Sequence, residues 1–325
     1  MKKLIYSIPL IICYCLSLNY SAQAQKSKPT TDQFSFVAFG DMPYTLPEDY
    51  GRFENLIKAT NKQNQLFNVH VGDIKSSKTD CSDSIYKIVY SYFQTLEKPL
   101  VYTPGDNEWT DCNKSGSDKY DIEERLGAIR KLFFNGSTSL GKTTMALTAQ
   151  SLNPKYSMYI ENNRWEYSNV SFATIHVVGT NNNFVPNKKN NNAEFYNRNE
   201  AAIAWLNEVF KNATARNHSC MVLFIHADMY NSDKNILDGS GFSSFKDALR
   251  TNVQQFKKPV LLIHGDSHTF LVDKPMLESG KSKKVVNNFT RLQVFGENDI
   301  HAVKVTIDPM SPNPFIIQQM IVEGN

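Results

Sequence analysis

Acidic and imidazole side chains follow short apolar runs at five places in this sequence. They are Asp41 in Phe39-Gly40-Asp41, Asp73 in Val71-Gly72-Asp73, Asp106 in Pro104-Gly105-Asp106-Asn107-Glu108, His226 in Phe224-Ile225-His226, and Asp266 and His268 in His264-Gly265-Asp266-Ser267-His268. A single Gly-Asp is ordinary turn chemistry. Gathered in one place, such groups would repel one another or be desolvated at high cost unless a cation neutralised them, so the joint pattern predicts a metal site. Two cations about 3.5–4 Å apart need one shared carboxylate and several terminal ligands, and the set is large enough for that.

The elements that would carry these residues can be read from the spacing of apolar positions. Runs rich in β-branched and aromatic residues at 34–39, 66–71, 100–102, 170–178, 220–225 and 260–263 predict buried strands. Apolar residues recurring at intervals of three and four predict helices over 50–64, 83–96, 121–134, 199–212 and 242–255. The alternation predicts an α/β domain, in which the ligand site lies beyond the carboxyl ends of the strands. The Asn-rich stretch 181–199 reads as a long surface loop.

In order and approximate spacing, these residues resemble the calcineurin-like metallophosphoesterases, whose motifs run Asp-x-His, Gly-Asp, Gly-Asn-His-Asp/Glu, a lone His and Gly-His-x-His. The resemblance extends over residues 33–270. It implies a four-layer α/β/β/α sandwich and a hydroxide held between two metals that attacks a phosphate mono- or diester. Carried over by position, Asp41 binds the first metal, Asp73 bridges the two, and Asp106, His226 and Asp266 serve the second, while His268 returns to the first. Pro43 replaces the His of the first motif, so Tyr44 or water must complete that shell. Asn107 stands where the family has its catalytic His; an amide donates a hydrogen bond but supplies no proton. His264 is the nearest sequence candidate for a replacement acid. A gapped alignment instead makes Asn107 the ligand and Asp106 an inserted loop residue. The additional carboxylates favour Mn²⁺, iron or Mg²⁺ over Zn²⁺. The competing expectation, motivated by Pro43 and Asn107, is a secreted binding protein that keeps the fold with a degenerate or single-metal site.

Composition bounds the partners. Lys+Arg 35 against Asp+Glu 32 leaves a net charge of +3, which gives no broad basic field for a nucleic-acid scaffold, so a small phosphorylated substrate is expected. Lys2-Lys3, an apolar run over 4–18 and Ala22-Gln23-Ala24 read as a signal peptide cut near Ala24, with a short linker over 25–32 and one domain over 33–325. The apolar run is shorter than the roughly 20 residues a membrane span needs, and a secreted or periplasmic protein follows. Cys13 and Cys15 leave with the signal. Of the remainder, Cys81 and Cys112 lie in polar loops and Cys220 opens a buried strand, so Cys81–Cys112 is expected as the disulfide; sequence alone leaves the two other pairings open. Residues 136–143 match the P-loop pattern letter for letter but lack the strand before and the helix after that a P-loop requires. His70 and His176 fall within strand runs and read as packed core residues, and His218 and His301 as surface or strand-edge residues. Trp109 reads as loop packing rather than a substrate platform, and Lys75 as a solvated side chain with phosphate contact as its alternative.

Overall fold

The structure is a computed structural model that describes residues 33–114, 120–187, 192–231, 240–279 and 282–325. The expected signal peptide, its cleavage point at Ala24, the 25–32 linker and part of the Asn-rich stretch lie outside these residues.

Strands β1 (Phe34–Phe39), β2 (Asn68–His70) and β3 (Leu100–Tyr102) run parallel in a first sheet, whose order is completed by β11 (Ala302–Ile307) and β12 (Phe315–Met320) as β12-β11-β1-β2-β3. The second sheet contains β4 (Thr148–Ala149), β5 (Asn163–Tyr167), β6 (Val170–Thr174), β7 (Cys220–Phe224), β8 (Val260–His264), β9 (Leu271–Asp273) and β10 (Phe289–Gln293), in the order β4-β5-β6-β7-β8-β10-β9. Within it β6, β7, β8 and β10 are parallel.

Strand alternation divides the apolar side chains among three interfaces. Phe36 and Ala38 of β1 pack with Val222 and Phe224 of β7 and with Leu261 and Ile263 of β8, between the two sheets. The alternate residues Val37 and Phe39 pack against helices α1 (Asp49–Asn61), α2 (Asp83–Phe93) and α3 (Ile122–Phe133). Met221, Leu223, Val260 and Leu262 face α4 (Ala193–Ala215) and α5 (Ser243–Phe256). Helices, sheet, sheet and helices therefore stack in that order, because each sheet has two apolar faces to bury. Phe36 joins the halves directly: its ring stacks on Phe67 at 5.1 Å and meets Phe172 and Phe224 edge-on at 6.1 and 5.6 Å.

Several expectations are corrected. Helix α4 starts at Ala193, inside the stretch read as loop, because Phe195, Arg198 and Asn199 are buried on its inner face. Strand β6 ends at Thr174, earlier than predicted. Of the two alternatives for His218 and His301, the surface one fails: they lie just before β7 and β11 and are buried, His218 beside Glu166 at 3.0 Å. Lys75 is also buried, its Nζ donating to the Ser76 and Thr79 carbonyls at 3.1 and 3.0 Å, which fixes its own loop. Residues 136–143 belong to a small antiparallel hairpin in which Thr138 bridges Ala146, which excludes the P-loop reading. Cys81 and Cys112 are bonded and Cys220 is free and buried, as expected. Among the described residues no helix is long and apolar enough to cross a membrane.

One buried ionic group had no signal in the sequence. Glu161 is fully buried, accepts from Arg130 Nε at 2.9 Å and Nη2 at 2.5 Å, and meets His176 Nδ1 at 2.8 Å. Burial alone would push its carboxyl up, yet Arg130 and His176 hold it well below the usual range, while burial lowers His176 from 6.5. Both shifts make the unfolded chain the better proton binder, so this contribution to stability is present at neutral pH and is lost as pH falls from about 6.5 through 4.5 and below. Denaturant unfolding across pH 7 to 3 should show that loss. Glu161→Gln should be less stable at pH 7 by about 3 kcal/mol, since it strands a buried guanidinium, and should show a flatter acid limb. An unchanged acid limb would show that Glu161 does not set it.

Candidate metal centre

Each ligand loop leaves a parallel strand and turns back sharply over the sheet ends. Asp41 and Asp73 both have φ of 55°, Asp266 has 72° and His268 has 59°. Side-chain-bearing residues rarely adopt this region, and it persists only where surrounding contacts enforce it. The turns lock one another: Asp41 N donates to Gly72 O at 2.9 Å and Met42 N to Asp73 O at 3.0 Å. Two glycines give the carboxylates room. A Cβ at Gly105 would lie 2.1 Å from Asp73 Oδ1, and one at Gly265 would lie 2.1 Å from Asp41 Oδ2.

The loops assemble two groups of donors, Asp41 with Asp73 and His268, and Asp73 with Asp106 and His226, each with its donor atoms within 4.8 Å of one another. Asp73 is common to both. His226 Nδ1 donates to the Val71 carbonyl at 2.8 Å, which turns Nε2 toward the carboxylates. That nitrogen lies 2.8 Å from Asp106 Oδ1 and 3.3 Å from Asp73 Oδ1. Even so, His226 Nε2, Asp106 Oδ1 and Asp41 Oδ2 are all buried without a hydrogen bond of good geometry. Buried acceptors converging without a donor are what a cation satisfies, and this oxygen-rich set with two imidazoles fits a hard or borderline divalent ion.

Electrostatics report the same crowding. Burial pushes the Asp41 carboxyl up to about 7, against the pull of His226 and His268. Asp73 is raised well above its ordinary range by burial and by the neighbouring carboxylates of Asp106, Glu108 and Asp41. Burial alone would lower His226, yet Asp73 and Asp106 hold it well above the usual imidazole value.

Tyr44 reaches Asp73 and His268. Its hydroxyl donates to Asp73 Oδ2 at 2.5 Å and lies 3.2 Å from His268 Nε2. Asn107 Nδ2 contacts the same Asp73 oxygen at 2.5 Å and the Tyr44 hydroxyl at 2.9 Å, and its backbone N–H donates to Asp73 Oδ1 at 3.0 Å. Asp266 is at the rim: its backbone N–H donates to Asp41 Oδ1 at 2.9 Å, and its Oδ2 accepts from Asp228 N at 3.0 Å. It is outside both donor groups. His264 is not brought to the centre. It shares the helix-facing side of β8 with Val260 and Leu262, is fully buried, and bonds the Gly265 carbonyl at 2.8 Å.

Sequence reasoning missed Glu297, whose Oε2 lies 3.2 Å from His268 Nδ1 and which orients that ring so that Nε2 faces Asp41. The signal was there, since Phe295-Gly296-Glu297 repeats the apolar-Gly-acid pattern of the other loops. Beneath the Asp106 loop, Trp109 is fully buried, with Arg198 5.3 Å from its ring centroid and the His176 ring at 5.3 Å, so it packs the loop rather than facing a substrate.

No protein-family model and no curated protein matches the sequence. Solved structures do match. A purple acid phosphatase from yellow lupin seeds aligns with a TM-score of 0.51 at 12% identity over 90% of this chain. GAP50, the anchor in the inner membrane complex of Plasmodium, aligns at 0.48 and 12% identity over 90% of both chains, and a protein assigned as a 5′-nucleotidase from Staphylococcus aureus at 0.45 and 10% identity over 89% of this chain. The chain spans about half the length of the lupin and staphylococcal proteins, 52% and 53%. With its two sheets, flanking helices and acidic loops at the carboxyl ends of parallel strands, the chain shares the fold of the lupin purple acid phosphatase.

Proposed function

We propose that this chain is a divergent metallophosphoesterase that hydrolyses phosphate mono- or diesters outside the cytoplasm. The observation that carries the reading is the Asp73 carboxylate, which belongs to both donor groups and is surrounded by buried acceptors that lack a partner. Asp41, His268 and Tyr44 would hold one cation with Asp73, and Asp106 and His226 the other, with Asp266 at its rim. Mn²⁺, iron or Mg²⁺ suits this oxygen-rich set better than Zn²⁺. Bound there, such ions would supply Lewis-acid polarisation of phosphoryl oxygens and a water acidic enough to act near neutral pH. The Cys81–Cys112 bond supports an oxidising compartment.

The chain's own residues then divide the remaining work. Asn107 spends both amide hydrogens on Asp73 Oδ2 and the Tyr44 hydroxyl, so it would donate to a phosphoryl or leaving-group oxygen only by giving up one of them, and it supplies no proton. Tyr44 is not free to serve as the acid either, because its hydroxyl proton is committed to Asp73 Oδ2 at 2.5 Å. Preferred substrates should accordingly have leaving groups that depart without protonation, such as nitrophenolates. Asn107 also motivates the second reading, a binding protein that keeps the metal site without turnover.

Metal analysis of the full secreted chain should find two equivalents, with hydrolysis of nitrophenyl phosphate or its diester stopped by a chelator and restored by Mn²⁺ or iron. Asp73→Asn should lose both metals and reduce turnover by about 100-fold or more. Two bound metals with no turnover on either ester would favour the binder; a metal-free, inactive protein unaffected by Asp73→Asn would sink both readings. Tyr44→Phe should weaken one equivalent by about tenfold while sparing the other, and equal retention of both would remove Tyr44 from the metal shell.

A further inference from the structure

Beside the Asp106 carboxylate the backbone makes an unusual turn. Thr180, Asn181, Asn182 and Asn183 have φ of 48°, 55°, 57° and 59°, one turn of left-handed helix that starts with a β-branched residue. That conformation is costly for threonine and needs outside support. The support is visible: Arg198 donates to Asn182 Oδ1 at 2.5 Å and to its carbonyl at 2.9 Å, Asn183 Nδ2 donates to Glu194 Oε2 at 2.8 Å, and Gly241 N donates to Asn181 Oδ1 at 2.8 Å. The turn delivers two things to the centre. Gly179 comes so close that a Cβ there would lie 2.5 Å from Asp106 Oδ1 and 2.7 Å from Asp266 Oδ1. The Thr180 hydroxyl lies 2.7 Å from Asp106 Oδ2 and 3.1 Å from Asp111 Oδ1.

A hydroxyl has one proton to give. Asp111 Oδ1 already accepts from Lys114 Nζ at 2.6 Å, and the shorter Thr180 contact is to Asp106, so that proton belongs to Asp106 Oδ2. The other oxygen, Oδ1, is the one that faces His226 without a hydrogen bond. The two oxygens of Asp106 are thereby made unequal: one is occupied by a hydroxyl and one is open to a cation.

We propose that Thr180 is a positioning residue that restricts Asp106 to one ligand oxygen and so sets which cation the second donor group accepts; this rests on the two-metal reading above. A free carboxylate can chelate through both oxygens, the mode that Ca²⁺ with its large and flexible shell uses, whereas the smaller first-row divalent ions are served by single-oxygen contacts in tighter geometry. With Oδ2 taken, Asp106 donates as a carboxamide oxygen would while keeping its negative charge. The left-handed turn is the device that holds the hydroxyl at that oxygen.

The test is competition between Mn²⁺ and Ca²⁺, read by calorimetric titration of the chelator-treated full chain, with no need for turnover. Thr180→Val keeps the β-branch and removes the donor; its Mn²⁺-over-Ca²⁺ preference should fall by about tenfold at one of the two equivalents, and Thr180→Ser should keep the wild-type ratio. In an Asp106→Asn background the same Thr180→Val change should leave the ratio unaltered, because an amide has a single ligand oxygen, and this non-additivity is the signature of the proposed coupling. Should Thr180→Val fail to fold, Thr180→Ala against Thr180→Ser gives the same comparison. Two bound metals with an unchanged ratio in Thr180→Val or Thr180→Ala overturn the proposal and leave the phosphoesterase reading standing. A wild-type protein that binds neither ion overturns both.

Discussion

The structure depends on holding several carboxylates in one buried place with only the imidazoles of His226 and His268 to offset them. Asp73 lies with Asp41 in one donor group and with Asp106 in the other, and Asp41 Oδ2, Asp106 Oδ1 and His226 Nε2 are buried without a hydrogen bond of good geometry. Burial and mutual repulsion raise Asp41 and Asp73, so the fold opposes its own charge at this point. Such an arrangement is expensive for a chain on its own and favourable once a cation is included, because the repulsion is then converted into coordination.

The rest of the molecule reads as the means of sustaining that concentration. Parallel strands in both sheets aim their carboxyl ends in one direction, which brings loops from β1, β2, β3, β7 and β8 together. Aromatic contacts such as Phe36 with Phe67, Phe172 and Phe224 hold the sheets in register, so the two donor groups keep a common boundary at Asp73. Under the Asp106 loop, the buried Arg130–Glu161–His176 group and the Arg198–Trp109 stack form a rigid floor. Strain at Asp41, Asp73, Asp266 and His268 is tolerated because the neighbouring backbone over-determines each turn.

Much of this was legible in the sequence because burial leaves a pattern. Apolar runs that stop at Gly-Asp identified β1 and β2 and the aspartates that follow them, and intervals of three and four identified helices α1 to α5. The legible part ends where pattern and environment separate. Glu297 follows an identical apolar-Gly-acid step, but β10 carries Thr290, Arg291 and Gln293, so the run did not stand out as a strand. Helix α4 was shortened because its asparagines resemble loop, although burial of Phe195 and Arg198 decides the matter. His264 sits two residues from Asp266 in sequence, yet it is the last residue of β8, on the side of Val260 and Leu262, while Asp266 lies in the turn beyond, where a φ of 72° redirects the chain. The left-handed turn over 180–183 has no signature in the sequence, which shows only a loop from 181 onward, because its conformation comes from tertiary partners rather than from local preference.

Gly105 and Gly265 have no side chain and take no part in any chemistry, yet each presses its Cα against a carboxylate, with the space for a Cβ already filled by Asp73 Oδ1 or Asp41 Oδ2. Their constraint is one of excluded volume. A single methyl group at either position would push a donor oxygen out of the cluster without altering the charge of any residue around it. In the mutational landscape of this protein such positions should behave as silent ligands, as intolerant of change as the aspartates they touch, and the width of the metal centre is thus set by atoms that are missing from the side chains around it.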